Sequence, residues 1–364
     1  MRWATAAGAA PATSGCCRSR SCEAPSDMTA GSAMLGLVGL LPVLSFLAAL
    51  LYLDSYKLVK LRAVIAVVAA GAAIAGAGYF ANAWLMGATG LEFRTFTRYV
   101  APVSEELLKG LVIVALVRAH RVGFLVDAAI FGFAVGAGFA LVENLFYLHQ
   151  TPGAGLGVWI VRGFGTAIMH GGATALFAVL GLARIEQAGR AGVGQYLPGF
   201  AIAVVLHSAF NHFFLSPILS TVGILLVLPP TLNLAFTRSE KALGAWLGQG
   251  FDADTEMLEL INSGRLSDSP VGQYLHALKD KFHGPVVADL LCYLRLHTEL
   301  ALRAKGILMM RESGFEVPVD EATKEKFAEM RYLEGSIGRT GLLALQPMLH
   351  MSHKDLWQLY MLGK

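Results

Sequence analysis

Charged residues are scarce in this chain of 364 residues. Asp, Glu, Lys and Arg make up 15% of the sequence, against roughly a quarter in soluble domains. The formal net charge is only +3, and no run of Lys or Arg offers a track for phosphate groups, so we expect no nucleic-acid partner. Hydrophobic residues make up 55% of the chain. This composition excludes an ordinary cytosolic globule.

Cysteine is also rare, and the four cysteines form no recognisable site. Cys16, Cys17 and Cys22 crowd the N-terminal tail, and Cys292 stands alone. This distribution lacks both a disulfide framework and the paired CxxC spacing of a structural zinc site. The cysteines therefore indicate no function.

Long apolar segments are abundant. About 20 apolar residues suffice to cross roughly 30 Å of hydrocarbon as a helix. The segments that meet this length are 34–53, 63–86, 99–117, 124–148, 158–183, 199–215 and 218–236. Gly132 and Gly136, at GxxxG spacing, let helices approach closely. The sequence thus predicts an all-α, polytopic membrane helix bundle with about seven transmembrane helices.

Composition divides the chain into three regions. Residues 1–33 are rich in Ala, Ser and Gly and are expected to be disordered. An alternative interpretation is that this tail results from a start site assigned too far upstream. Residues 34–236 form the predicted transmembrane domain. From 237 to 364 charges become frequent and apolar residues take helical spacing, which predicts a C-terminal helical soluble domain. Pro229 and Pro230 interrupt the last span, so a re-entrant element is an alternative there.

Basic residues in the short loops predict the orientation. Those expected on one side are Lys57, Lys60, Arg62, Arg118, Arg121, Arg184, Arg190, Arg238 and Lys241, against Arg94 and Arg98 on the other. The positive-inside rule therefore places the C-terminal domain in the cytoplasm of a multi-pass protein of the cell membrane.

The third apolar segment contains ionisable residues that are costly in a bilayer. Glu105, Glu106 and Lys109 each cost about 2.5–3.5 kcal/mol at the bilayer centre, so something must offset them. Glu105 and Lys109 are i,i+4 neighbours, and we expect them to pair. Glu106 points about 100° away and needs a separate partner. A purely structural pair would leave Glu106 unexplained.

Three further segments carry polar residues. Glu143 ends the fourth, His170 lies beside two glycines in the fifth, and His207 and Asn211 share one face of the sixth. With alternating helix directions, all of them fall between the midplane and the outer face. We therefore expect one shared pocket. Arg162, at the mouth of the fifth segment, has two interpretations: a substrate contact, or, as favoured here, an interfacial arginine with its head in the headgroup region.

Three carboxylates and two imidazoles in an apolar bundle are typical of metal ligation, and of zinc with an open water position in particular. Such a metal lowers the pKa of its bound water toward 7, and an adjacent carboxylate can take the proton. This chemistry hydrolyses peptide bonds. It can also proceed without a metal, when a Glu/His pair activates water and His or Asn donors stabilise the oxyanion.

Two of these segments resemble the motifs of a known family. Residues 105–109, Glu-Glu-Leu-Leu-Lys, resemble the EExxK motif of the PrsW intramembrane proteases, and residues 139–144, Phe-Ala-Leu-Val-Glu-Asn, resemble their FxxxEN motif. His170 and the His207/Asn211 pair stand where that family and its CAAX-protease and bacteriocin-processing relatives place further polar residues. The resemblance covers roughly residues 35–236.

The resemblance implies an intramembrane metalloprotease that cleaves a membrane-anchored protein, which in bacteria is an anti-sigma factor. Glu105 is then the expected general base, Glu106 orients water or metal, Lys109 neutralises the glutamates and Asn211 is a donor. The expected metal ligands are Glu143, His170 and His207, with zinc as the cofactor. The expected partners are the substrate and the lipid bilayer.

Two other functions are compatible with the residues. Glu and His inside a bundle also build proton relays, so a proton- or cation-coupled transporter is the main alternative. The chain has no inverted internal repeat to support it, and a relay does not need adjacent glutamates. A receptor or scaffold that uses the polar groups only for packing is the third interpretation.

Overall fold

The computed structural model describes residues 26–151, 153–189, 192–279, 281–315, 317–349 and 357, with side chains from Met34 onward. Within these ranges the chain is helical and contains no strand. The predicted disorder of 1–25 lies outside the described residues. Residues 26–33, however, are the first turns of helix α1, so the predicted tail ends earlier than expected.

Nine α-helices and two π-helical segments form the N-terminal part of the described chain. They are α1 (Ser26–Tyr52), α2 (Leu61–Thr89), α3 (Phe93–Thr95), a π-helical segment (Phe96–Val100), α4 (Ala101–Arg118), α5 (Leu125–Gln150), α6 (Leu156–Ile160), a second π-helical segment (Val161–Thr166), α7 (Ala167–Ala188), α8 (Val193–His212) and α9 (Pro217–Asn262).

Six helices of the described chain are long and apolar enough to cross a membrane. They coincide with six of the seven predicted segments, which confirms a polytopic helical bundle. The count of seven is not confirmed, since α4, which corresponds to the predicted segment 99–117, is not among the six. Glu105, Glu106 and Lys109 make α4 too polar for that class, although it packs within the bundle through buried residues such as Ile113.

Helix α5 is the centre of the bundle and packs against α1, α2, α7 and α9. Its glycines make this close packing feasible, because a Cβ at Gly136 would collide with the backbone oxygen of His170 on α7, and one at Gly138 would collide with that of Val68 on α2. Gly132 meets the backbone of α7 in the same way. The predicted GxxxG contact therefore sets the distance between α5 and α7.

Helix α9 is continuous for 46 residues and passes through the predicted domain boundary at 236/237. Its start has a local cause: Ser216 accepts a hydrogen bond from the backbone N–H of Leu219, and Pro217 occupies the first turn, where its missing N–H is not needed. Pro229 and Pro230 lie inside the helix, so the re-entrant alternative is not what the structure shows.

The C-terminal region continues α9 with a 3₁₀ turn (Arg265–Asp268), α10 (Pro270–Leu278), α11 (Gly284–Glu312) and α12 (Glu321–Leu345). Asp320 caps α12 by accepting from the N–H of Thr323. A second apolar core forms among these helices and the second half of α9, with Leu290, Leu294 and Leu308 fully buried, and Tyr56 and Phe124 of the N-terminal part also belong to it. The C-terminal region is thus helical, as predicted.

Candidate active site

Helices α4, α5, α7 and α8 bring five ionisable side chains together inside the bundle. Glu106, Lys109, His170 and His207 are each no more than 3% exposed. Glu143 joins them from the end of α5 through His170. The structure therefore joins Glu106, Lys109, Glu143, His170 and His207 in one hydrogen-bonded group.

Lys109 lies at the centre of this group. Its Nζ donates to Glu106 Oε1 at 2.5 Å and lies 3.0 Å from Nδ1 of His170. The expected pair of Lys109 with Glu105 was wrong, since the ammonium pairs with Glu106. Positions i+3 and i+4 are equally reachable on a helix, and the ammonium pairs with the carboxylate that is more deeply buried.

Glu106 also orients His207. Its Oε1 lies 2.8 Å from Nδ1 of His207, which leaves Nε2 of that imidazole facing Glu105 Oε2 at 3.9 Å. A carboxylate on one ring nitrogen is the usual way in which proteins fix the ring of a metal-binding or catalytic histidine. Glu106 is thus a group that holds the imidazole, and Glu105 is the carboxylate that faces its open side.

Glu105 is held by Asn82, which was not among the predicted site residues. Asn82 on α2 donates from Nδ2 to Glu105 Oε1 at 2.9 Å, and Ser104 Oγ donates to Asn82 Oδ1 at 2.5 Å. Asn82 is the only side-chain amide in α2, which was the available signal. Because Oε1 is occupied by this amide, Oε2 is the oxygen left toward His207.

Arg162 belongs to the site, contrary to its interpretation as an interfacial arginine. Its Nη2 lies 3.3 Å from Glu143 Oε1, and its Nε donates to Asn144 Oδ1 at 2.9 Å. The guanidinium carbon is 3.8 Å from the ring centre of Tyr147. Glu143 Oε2 in turn lies 3.0 Å from Nε2 of His170. Arg162 therefore supplies the positive charge that fixes Glu143 beside His170.

Both π-helical segments lie next to the site. Val161–Thr166 carries Arg162 and leads into the turn that bears His170, and Phe96–Val100 directly precedes α4. π-helical turns are rare and are frequently found at functional sites. Here they aim Arg162 at Glu143 and set the start of α4.

Asn211 lies apart from the Glu/His group in its contacts. Its Nδ2 donates to the backbone oxygen of Thr97 at 3.0 Å, and the neighbouring Ser208 Oγ donates to that of Arg98 at 2.6 Å. Both oxygens belong to the first π-helical segment, whose irregular turn leaves backbone groups to be satisfied. The contact of Asn211 is therefore that of a residue that attaches this segment to α8.

The two glycines beside His170 make room for neighbouring helices. A Cβ at Gly171 would meet the ring of Phe133, and one at Gly172 would collide with Leu228. They give room to neighbouring helices α5 and α9, not to the imidazole.

A cavity of about 620 Å³ lies against the group. Its polar lining is formed by Asn82, Thr97, Glu105, Glu143 and Gln150. Most of the remaining lining is apolar or aromatic, including Tyr79, Phe80, Phe93, Phe139 and Phe146. An apolar cleft of this size with a few converging polar groups is typical of a ligand or substrate site.

The donor atoms fit a metal ion. Glu105, His170 and His207 each offer one ligand atom, and the three atoms lie within 4.8 Å of one another. Two imidazole nitrogens and a carboxylate oxygen are the donors that catalytic zinc and similar ions take. The predicted ligands were His170, His207 and Glu143, so the two sets differ only in the carboxylate. Glu143 contacts the same His170, with its Oε2 3.0 Å from Nε2 of that imidazole.

Comparison with known proteins supports one family. Residues 55–234 match the model of the PrsW family intramembrane metalloproteases, a range that contains every residue of the group described above. No curated protein and no solved structure matches the chain.

Proposed function

Because the chain belongs to the PrsW family and is therefore an intramembrane peptidase, we propose that it hydrolyses a peptide bond of a membrane-anchored protein with water activated by Glu105 and His207. A bacterial anti-sigma factor is one such substrate, as the family resemblance suggests. We further propose that the C-terminal region lies in the cytoplasm, on the side where the basic loop residues cluster.

The observation that carries this proposal is the geometry between Glu105 and His207. Glu105 Oε2 and His207 Nε2 face each other at 3.9 Å, too far for a direct hydrogen bond and suited to a bridging water. Glu105 also lines the cavity, whereas Glu106 is committed to Lys109 and His207. Glu105 is therefore the carboxylate that can accept a proton from a water in the cavity.

The family is one of metalloproteases, and zinc is the metal that we propose. His170 and His207, with an oxygen of Glu143, would hold it. Nε2 of His207 would then be a metal ligand, so the ion would take the place of that imidazole in activating the water, and Glu105 would remain the proton acceptor. When bound, the ion would supply an acidified water and polarise the scissile carbonyl. Arg162 holds Glu143 in place for this purpose, and Glu106 holds His207.

The cavity supports an extended, apolar peptide as substrate. Its lining is largely aromatic and aliphatic, and a peptide in a helix hides its carbonyls in its own hydrogen bonds. We therefore expect cleavage to require local unwinding. Gly or Pro placed beside the cut site of a test substrate should raise the cleavage rate, and an unchanged rate would count against an unwound substrate.

The experiment separates the base from the ligands. Purified wild type, Glu105→Gln and Glu143→Gln are analysed for bound zinc and, in liposomes, for cleavage of a panel of tagged single-span membrane proteins. Glu105→Gln should keep its metal and lose about 10²–10⁴-fold in rate, as expected when a general base is removed. Glu143→Gln should lose metal as well as cleavage.

Glu92→Gln is the matched control, because Glu92 is exposed and precedes the π-helical segment without belonging to the group. It should cleave like the wild type. Undiminished cleavage by Glu105→Gln would refute the assignment of the base. Absence of cleavage in the wild type, together with proton uptake that drives solute transport into the same liposomes, would instead favour the transporter.

A further inference from the structure

Helices α2 and α5 touch along their first halves and separate beyond them. A Cβ at Gly71 on α2 would collide with the backbone oxygen of Val135 on α5, so the two backbones are in contact there. From Ala75 on α2 and Phe139 on α5 onward, residues of both helices line the cavity of about 620 Å³ that also contains Glu105. This cavity therefore lies between the separated second halves of α2 and α5 and ends where their backbones meet.

An aromatic pair bridges the separated halves of the two helices. The rings of Tyr79 on α2 and Phe146 on α5 have their centroids 5.5 Å apart, with an interplanar angle of 54°. Both residues line the cavity, and yet Tyr79 is 56% exposed and Phe146 is 41% exposed. Because both helices are long and apolar enough to cross a membrane, the exposed sides of these rings face lipid. The pair thus lies between the cavity and the lipid, and we call it the lateral gate.

On its α4 side, helix α2 is held by hydrogen bonds. Asn82 donates to Glu105 and accepts from Ser104, and both partners belong to α4. Separation of α2 from α4 would break these bonds and release Glu105. On the α5 side the contact is between two exposed rings, whose rotation moves no helix and takes picoseconds to nanoseconds. The mouth between α2 and α5 is therefore the side on which the cavity can open while Glu105 stays in place.

We propose that the span of a membrane-anchored substrate docks at this mouth and passes an unwound stretch through the lateral gate to Glu105, an inference that rests on the protease function proposed above. Phe80, 74% exposed, packs its ring 5.6 Å from that of Tyr79, so the surface beside the gate is aromatic and suits the apolar side chains of a span. Along α5 the cavity runs from Phe139 to Gln150, about 16 Å, which is the length of about five extended residues.

The first test detects docking without cleavage. In full-length Glu105→Gln protein, p-benzoylphenylalanine replaces Phe80, and the protein is reconstituted in liposomes with a tagged single-span peptide that has Gly-Pro in its span. The matched control carries the same photoreactive residue at Leu226 on α9, which is 69% exposed. Phe80 lies nine residues before the end of α2 at Thr89, and Leu226 lies nine residues after the start of α9 at Pro217. The peptide should be crosslinked at Phe80, and this product should be lost at Leu226.

The second test closes or opens the gate in protein with an intact Glu105. With the four native cysteines replaced by serine, Tyr79→Cys/Phe146→Cys is joined by a short, reducible bifunctional thiol reagent, and each single-cysteine variant receives the same reagent. Cleavage of the same peptide should be lost only in the joined protein and return on reduction. Tyr79→Ala/Phe146→Ala should raise the cleavage rate by about 2–10-fold, since an aromatic pair favours the closed arrangement by about this factor. Leu226→Ala should leave the rate unchanged, and melting temperatures show that the variants are folded.

Two results would overturn the proposal. Equal crosslinking at Phe80 and Leu226 would mean that the peptide only shares the bilayer with the protein. Cleavage by the joined protein at the rate of the single-cysteine variants would mean that the substrate reaches Glu105 by another route. Crosslinking confined to Phe80, together with an inactive wild type, would instead refute the proposed hydrolysis and support the docking surface, so the two failures are distinguishable.

Discussion

Removal of the Lys109 ammonium is expected to destabilise the bundle by about 3–5 kcal/mol, the usual cost of leaving one partner of a buried ion pair without the other. Lys109 is fully buried, and its Nζ is 2.5 Å from Glu106 Oε1 and 3.0 Å from His170 Nδ1. In Lys109→Met the Glu106 carboxylate keeps only its contact with His207. The free energy of unfolding can be measured in mixed detergent micelles through the fluorescence of Trp159, which is buried in the bundle.

The double variant Lys109→Met/Glu106→Gln tests the reasoning, because it removes both charges and should recover much of the lost stability. Lys324→Met is the control: Lys324 and Glu321 form an i,i+3 pair of the same spacing, but both are exposed, so little change is expected. A loss in Lys109→Met no larger than that in Lys324→Met would refute the buried-pair argument. So would a double variant less stable than the single one.

Three further predictions concern groups around the site and the loop before α2. Arg162→Gln should lower metal affinity or the cleavage rate by about 10–100-fold, because Glu143 loses the charge that fixes it. Arg162→Lys should restore neither the affinity nor the rate, since one ammonium cannot contact Glu143 and Asn144 together. Asn82→Ala should lower the cleavage rate by a similar factor at unchanged zinc content; loss of the zinc instead would make Glu105 a ligand. Burial raises the pKa of Asp54 to about 6. Protonation of this carboxyl therefore stabilises the folded state by up to about 3 kcal/mol below about pH 4, and this contribution is lost as the pH rises to about 6. Asp54→Asn should keep the hydrogen bond from the Val59 N–H and flatten that part of the stability profile, and identical pH profiles for the two proteins would contradict the assignment.

The membrane-spanning architecture was predictable because it depends on composition over about 20 residues. The six helices of the structure begin and end within a few residues of the predicted spans in most cases. Helix α4 was recognisable as the unusual helix by Glu105, Glu106 and Lys109 in its interior. The continuation of α9 through Pro229 and Pro230 was not predictable in the same way. Prolines break helices in water, and inside a packed bundle neighbouring helices can support the interrupted turn.

The contacts within the site could not be predicted from sequence spacing. Sequence spacing allowed Lys109 to reach either glutamate, and only the burial of Glu106 decided between them. The partners of Arg162 and Asn211 were likewise not predictable from the sequence: Arg162 belongs to the site, whereas Asn211 lies apart from it. An arginine at a helix end and an asparagine four residues after a histidine carry no information about their partners, which lie 18 and 114 residues away along the chain.

The sequence by itself determined that this is a membrane protein of packed helices with glutamates, histidines and a lysine in its apolar interior. Charged residues are costly and therefore rare in membrane segments, so those that occur there are recognisable in the sequence alone. The tertiary structure decided which of these groups are paired and which face the cavity. Pairing depends on distances of about 3 Å between side chains on different helices. Such distances result from how the glycines of α5 let α2 and α7 approach, and not from the spacing of residues along any one helix.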